Sequence, residues 1–598
     1  MSKFFQSNQV KYFLFYYEQL KWRILVLMLL STIVAFLDGI GLALFVPLFT
    51  ITETGNSGGE DLGKLGFIVD FFNEMGIELT VGVVILLMLS IFFFKGIVSF
   101  IDRYFFTRIR VNFMRRVRIQ LISGLCNISY PGFVNIDLGR MQNVITGEIG
   151  KAVGAFSSFF ATIQGGIMLL GYLTLAFLAN FKFALLIGIA GLASNFIYRF
   201  INRKVETASL WQSLIGNGLQ SKVLEAVWNY KYLKATDLIS AYRKQLVHLT
   251  NEAEDLSMKM GKLNAISGSI REPVTIGIVC AVIYVQVALM GASMLSMIVS
   301  LLFFYRSLTS LMSVQNSWQS FLVNSGGIHT VKELYDEFDR KIESNEHEHI
   351  EDFKDNISFE HVSFSYAPHL PLVLNDISIT IKKNQTIAFV GESGSGKTTI
   401  VNMMAGLLIP SSGYLKIDGE PLVASRVKGF RHYIGYITQE PVVFNETVFN
   451  NVTFHEPKNE ETLSKFRDTL EKTTLTSMVE NLPKKEDSLL GDNGILISGG
   501  QKQRISIARE LYRDCSLLLM DEATSALDSE NEIIIQSNIN ALKGKYTIVI
   551  IAHRLSTVKN ADVIYLLDNG KIEASGSFEE LQTKSPRFKK MVELQDFS

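Results

Sequence analysis

A chain of 598 residues is too long for one compact domain. Its residues are 48% hydrophobic and only 19% charged, oily for a soluble protein, and the apolar excess lies almost entirely before residue 320. The formal net charge of −1 excludes a whole-chain electrostatic case for nucleic acid, and Cys126, Cys280 and Cys515 stand too far apart for metal-type spacing and read as reduced packing residues.

The first stretch, "KFFQSNQVKYFLFYYEQLKWR", mixes aromatic and charged residues and lacks an apolar h-region, so it does not read as a cleavable signal. It suits a helix at the membrane surface, or equally an extension of the first spanning helix. A spanning helix needs about 20 mostly apolar residues. Six stretches qualify: 24–50, 80–100, 156–180, 181–200, 274–291 and 294–314.

Loop charge orients these spans. Residues 51–79 carry one Lys and six acids, whereas "RYFFTRIRVNFMRRVR" follows the second span and Arg199, Arg203, Lys204, Lys222, Lys231 and Lys234 follow the fourth. Lys and Arg of short loops stay cytoplasmic, which puts 101–154, 201–270 and both termini inside. Each internal stretch has more than 50 residues of helical pattern, so the helices are expected to continue into the cytosol and bend at their tips. Around residue 341 the texture changes. "RKIESNEHEHIEDFKDN" reads as a solvated linker over 341–356, and short strands then open an α/β domain over 357–598. The expected fold is a polytopic α-helical membrane domain, residues 1–340, fused to a C-terminal α/β domain.

"GESGSGKT" at 391–398 follows the apolar strand "TIAFV" and precedes a helix, the context that makes a Gly loop a phosphate cradle. Gly391, Ser393, Gly394, Ser395 and Gly396 let backbone N–H groups converge, Lys397 meets the β- and γ-phosphates of ATP, Thr398 coordinates Mg²⁺, and Thr399 joins the ATP-binding set, as expected of an α/β P-loop ATPase domain. "LLLMDEATSALD" supplies a buried strand ending in Asp521, positioned for the Mg²⁺ shell. Glu522 then stands where a carboxylate can orient or deprotonate the attacking water.

Residues 357–598 resemble the nucleotide-binding domain of ABC transporters. By that resemblance Tyr366 in "FSYAP" stacks on adenine, and Gln439 in "YITQEP" touches the metal and the membrane domain. Asp528 belongs to the D-loop, and His553 in "IIAHRL" grips the γ-phosphate. The family signature Leu-Ser-Gly-Gly-Gln stands here as Ile497, Ser498, Gly499, Gly500 and Gln501, a mild aliphatic departure that keeps the residues approaching phosphate. In that fold a signature cannot reach its own P-loop, so the resemblance implies a homodimer with two shared ATP sites. "LLGDNGILISGG" loosely matches the loop linking this site to the membrane domain.

Six spans before one ATPase domain resemble the half-transporter exporters, with "SYPGFVNIDLGR" and "VWNYKYLK" as loop tips that would dock on the ATPase domains. "FLDGIGLALFVPLF", "FFKG", "REPVTIG" and "FFYRSLTSLMSVQNSW" are similar to bacterial flippases for lipid-linked oligosaccharides. That resemblance implies a cationic belt for a glycolipid's phosphates and an external helix for its lipid tail. Phe67, Ile68, Phe71, Phe72 and Met75 have amphipathic spacing for the latter. Ionisable groups inside spans are costly and mark function. Lys95, Arg271 and Arg306 fall in the cytoplasmic half of the bilayer, with Asp38 mid-way along the first span and Glu272 beside Arg271. Lys95 also suits snorkelling and Arg271 suits pairing with Glu272, whereas Arg306, 12 residues into its span, sits about 18 Å deep. The expected activity is ATP-driven export of a lipid-linked saccharide or other anionic glycolipid across a bacterial inner membrane, with membrane lipids as partners. A peptide or multidrug exporter is the alternative. The roughly 20 residues before the first span leave no room for the protease of leader-cleaving peptide exporters.

Overall fold

The computed structural model describes residues 17, 21–45, 47–48, 51, 80–179, 181–284, 294–343, 348, 352–521, 529–552 and 558–596. The chain forms two compact units: Met1–Ile128 with Asn135–Ile342, and Glu343–Ser598 with the short segment Ser129–Val134.

In the first unit, long helices dominate: α1 (Arg23–Ala43), α2 (Val81–Asn127), α3 (Ile149–Ala179), α4 (Phe181–Trp228), α5 (Ile239–Tyr284) and α6 (Met294–Arg340). Four of them run 46 to 48 residues, roughly twice what a bilayer needs, so the apolar stretches continue as helix without a break. Among the described residues three stretches are long and apolar enough to cross a membrane: Arg23–Ala43, Val81–Asn127 and Leu138–Leu178. The expected spans at 181–200 and 274–291, and residues 294–301 of the last, fall in large part on residues whose side chains lie outside the described set, and the whole candidate external helix around Phe67–Met75 lies outside it.

Two packing devices tie the long helices together, one joining α2, α3 and α6 and the other α3, α4 and α6. The first is apolar: Phe113, Phe156, Phe160 and Phe321 are buried in one cluster, with the Phe113 and Phe156 rings 4.9 Å apart. The second is close approach. A Cβ on Gly326 of α6 would lie 2.4 Å from the Ser209 carbonyl oxygen of α4, so only glycine lets these backbones meet. Beside it, a π-helical turn (Val144–Glu148) leads into α3 and delivers Glu148 into the interior. Its carboxylate accepts from Lys151 Nζ at 2.7 Å, Ser213 Oγ of α4 at 2.8 Å and Thr330 Oγ1 of α6 at 3.4 Å.

The second unit has ten strands among its described residues. β1 (Asn356–Phe364), β2 (Leu374–Lys382), β4 (Ser412–Ile417) and β5 (Glu420–Pro421) form an antiparallel sheet in the order β2-β1-β4-β5. β3 (Thr386–Gly391), β6 (Ile434–Ile437), β7 (Leu517–Asp521), β8 (Thr547–Ile551), β9 (Val563–Asp568) and β10 (Lys571–Gly576) form the order β10-β9-β3-β8-β7-β6, parallel except for β10. β3, β7 and β8 are almost continuously apolar and buried, as strands covered on both faces must be. A separate apolar core, including Phe449, Phe466, Leu475 and Ile505, lies under the helices Val448–Thr453 and Glu460–Lys472.

In the segment expected to be a solvated linker, Glu343 and the described residues from 352 on are held by the fold. Arg431 grips the Glu343 carboxylate with two hydrogen bonds of 2.9 and 2.6 Å, and Phe353 is buried. Asp418 accepts from the backbone N–H groups of Lys354, Asp355 and Asn356 at 2.7, 2.8 and 2.9 Å. The partners Arg431 and Asp418 stand more than 60 residues away in the chain, invisible to local composition.

Candidate ATP site and membrane charges

β3 ends at Gly391, whose φ of +154° suits glycine and where a Cβ would lie 2.3 Å from the Leu567 carbonyl oxygen. Gly394 and Gly396 are also left-handed, and Gly396 caps the start of α7 (Lys397–Met404). Ser393, Gly394 and Thr398 are exposed, whereas Ser395, Lys397 and Thr399 are buried. Lys397 curls back over the loop, donating to the carbonyl oxygens of Gly391 and Glu392, both at 2.8 Å. The buried Ser395 Oγ has no hydrogen-bond partner among the described residues. An orphaned hydroxyl and a curled ammonium, set before a helix N-terminus, are donors that fit a polyphosphate. Tyr366 presents a half-exposed ring and is tied to this helix, its Oη 3.2 Å from Thr399 Oγ1.

Asp521 ends β7 nearly buried and pairs in register with Ile551 of β8. Burial, reinforced by the Asp521 carboxylate, pushes the neighbouring Tyr436 phenol up to about 12, so it stays a neutral donor, to Asn402 Oδ1 at 3.3 Å. Gln439 is exposed two residues beyond β6. Exposed Thr398 and the carboxylate of Asp521 are hard oxygen ligands of the kind Mg²⁺ takes. Glu522, Asp528 and His553 lie outside the described residues, although Glu522 follows directly on β7 and His553 stands two residues after β8.

The second anion seat opens α8 (Gly499–Tyr512). Ser498 and Gln501 form a reciprocal cap: Ser498 N donates to Gln501 Oε1 at 2.9 Å, and Gln501 N donates to Ser498 Oγ at 3.3 Å. Both side chains are held by the cap, and Ser498 and Gly499 stay exposed, with open space around a Cβ placed on Gly499. α8 contributes Ile505, Ala508 and Tyr512 to the core beneath Val448–Thr453, whereas α7 contributes Ile400, Val401 and Met403 to the core between the sheets. The two seats therefore rest on separate cores.

Sequence reasoning passed over Arg509. Its guanidinium is buried in α8, donates to the Asn451 carbonyl at 2.7 Å, the Val442 carbonyl at 2.9 Å and Asn451 Oδ1 at 3.1 Å, and lies over the Phe444 ring. An arginine on the apolar face of "RISIARE" was the available signal. It connects the stretch after Gln439 to the signature helix.

In the first unit, Lys95 is not a free cation. It forms an ion pair with the buried Asp38 of α1, which also accepts from the Tyr172 hydroxyl of α3. Arg306 is exposed, while Phe303, Phe304 and Ser307 of the same turn are buried. Arg271 lies in α5, with its side chain outside the described set.

Two family models match the chain: "ABC transporter" over residues 374–525 and "ABC transporter transmembrane region" over 24–315. This chain is an ABC exporter. Among its relatives, a Ralstonia nicotianae protein named ATP-dependent lipid A-core flippase is 29% identical over 81% of this chain and 83% of its own length. A Hahella chejuensis protein of the same name is 28% identical over 85% of this chain and 87% of its own length. The structure of a bacterial Atm1-family ABC exporter with ATP bound superposes with a TM-score of 0.77 at 21% identity, covering 97% of this chain and 98% of that one. The ABC exporter fold, a helical membrane domain fused to an ATPase domain, is thereby established, and the protein is an ATP-hydrolysing, multi-pass membrane transporter.

Proposed function

We propose that this ABC exporter works as a homodimer that flips an anionic glycolipid or lipid-linked saccharide from the inner to the outer leaflet of a bacterial cytoplasmic membrane, with six spans per subunit and both termini inside. The observation that carries the dimer is the separation of the two anion seats. Lys397 and Ser395 of one copy, with Ser498 and Gly499 of the other, would enclose one triphosphate. Tyr366 would hold the adenine, Glu522 would orient the attacking water and take up its proton, and His553 would hold the γ-phosphate. Thr398, Gln439 and Asp521 would hold Mg²⁺, which when bound neutralises charge on the β- and γ-phosphates. Asp528 of the D-loop would complete the ATP-binding set; closure of the two ATPase units around ATP would swing the helices outward, and hydrolysis would reset them.

A lipid cargo is supported by the names of the relatives and by the exposed Arg306 guanidinium within an apolar helix. Arg306, with Arg271, would face the phosphate of the headgroup, whereas Lys95 is engaged with Asp38. The Lys95–Asp38 pair favours a second reading, a peptide or multidrug exporter, because it leaves the belt one free cation poorer. The test is reconstitution in lipid vesicles with ATPase measured against added glycolipids, peptides and hydrophobic cations. Stimulation and leaflet transfer by an anionic glycolipid alone support the first reading, and stimulation by peptides or cations alone refutes it.

A further inference from the structure

The phosphate loop carries a carboxylate of its own. Glu392, the second residue of "GESGSGKT", is 75% exposed at its side chain and puts a negative charge on a loop that must hold a polyphosphate. Its partner comes from 195 residues away: Arg587 NH2 donates to Glu392 Oε1 at 2.8 Å. Arg587 is itself held in place. It opens α9 (Pro586–Asp596) next to Phe588, which is fully buried with its ring 5.4 Å from Phe578. Its other nitrogen meets Asp568 Oδ1 at 2.9 Å and Glu573 Oε2 at 3.2 Å on the β9–β10 hairpin. That hairpin also touches the loop directly, Gly570 N donating to the Ser395 carbonyl at 3.1 Å.

We infer that Arg587 is a positioning residue for ATP: it turns Glu392 away from the phosphate seat, offsets its charge, and makes the C-terminal helix a determinant of nucleotide affinity. One isolated exposed ion pair contributes little. Here one guanidinium spans three carboxylates on three elements, one of them on the loop that grips the nucleotide, so the effect falls on ligand binding more than on folding.

The test uses the full-length protein in lipid nanodiscs, with ATP binding and steady-state ATPase measured side by side. Arg587→Ala should raise the KM and Kd for ATP about three- to tenfold, with kcat within about twofold, and the effect should shrink at high salt. Glu392→Gln in the Arg587→Ala background should restore the affinity, and Arg587→Lys should restore it in part. Arg587→Gln, which keeps the stem, reads the same charge if the alanine variant misfolds. Glu573→Gln, which removes a partner away from the loop, should leave affinity unchanged. Unchanged affinity in both Arg587→Ala and Arg587→Gln, or lost affinity that Glu392→Gln does not rescue, overturns the inference. It rests on ATP binding at this loop, and Lys397→Ala separates the two: if that variant also binds ATP normally, the loop itself is misassigned and the inference falls with it.

Discussion

Replacing Arg509 by Met should uncouple the signature helix from the segment after Gln439 while sparing the phosphate loop. Methionine keeps most of the volume but removes three donated hydrogen bonds. Asn451 is fully buried and its carbonyl loses its shortest donor, at roughly 1–3 kcal/mol, whereas Val442 is half exposed and regains water. Asn451 Oδ1 keeps its bond from Phe444 N at 2.9 Å, so its loss is small. The sum is about 2 kcal/mol, which for a unit of this size lowers the melting temperature by about 4–8 °C. Thermal unfolding of the solubilised exporter measures that shift, while ATPase and ATP binding measured below the transition report function. Turnover should fall at least about tenfold with ATP affinity nearly unchanged, because α7 stands on the other core. A melting shift below about 2 °C with full turnover would show that the guanidinium braces nothing. Binding lost in step with turnover would refute the independence of the two cores.

Glu522→Gln should leave ATP binding intact and nearly abolish turnover, locking the dimer closed; hydrolysis within a few-fold of wild type sinks its role. A mixed dimer of one Ser498→Arg and one Lys397→Ala subunit gathers both lesions in one composite site, so it should keep about half the turnover while both mutant homodimers are dead. Arg306→Ala should abolish lipid-stimulated ATPase and leaflet transfer with basal ATPase retained, and Arg306→Lys should rescue only partly, since an ammonium lacks the planar fork. Normal transfer of an anionic lipid by Arg306→Ala would move the assignment to an uncharged cargo. Asp418→Asn gives a pH signature: burial works against its charge, but the N–H groups of Lys354, Asn356 and Asp355 and the charge of Lys383 outweigh it and hold its pKa below the ordinary 3.8. The carboxylate therefore adds stability above about pH 3.8 that is lost as pH falls through the folded-state value, so the variant's lower melting temperature at pH 7 should converge on wild type in acid.

What could be read from the sequence is what is local. The cradle from Gly391 to Thr398 rests on a strand, a left-handed glycine and a helix start within a dozen residues, and the cap of Ser498 by Gln501 spans three. That the helices after the second and fourth spans run on past the membrane was legible in the long stretches of helical pattern behind each apolar span. The rest depends on partners that only the fold brings together. Asp38 meets Lys95 and Tyr172 across 57 and 134 residues, so a cation expected to await cargo has a counter-ion. Glu343 finds Arg431 across 88 residues, so the start of a charged stretch that looked solvated is docked. Arg587 and Glu392 stand 195 residues apart, and neither is unusual alone.

The Glu148 node has a use in measurement. Ser213, Thr330 and Lys151 close on one buried carboxylate, and Gly326 presses against the Ser209 backbone beside it. Three long helices are thus riveted at one level by contacts that are costly to break singly. Any motion of the exporter has to carry that level as a solid piece, with bending left to the stretches on either side. Spin labels placed across α3 and α6 at this height should keep one separation through the whole ATP cycle, a built-in ruler against which every other label pair on the molecule can be calibrated.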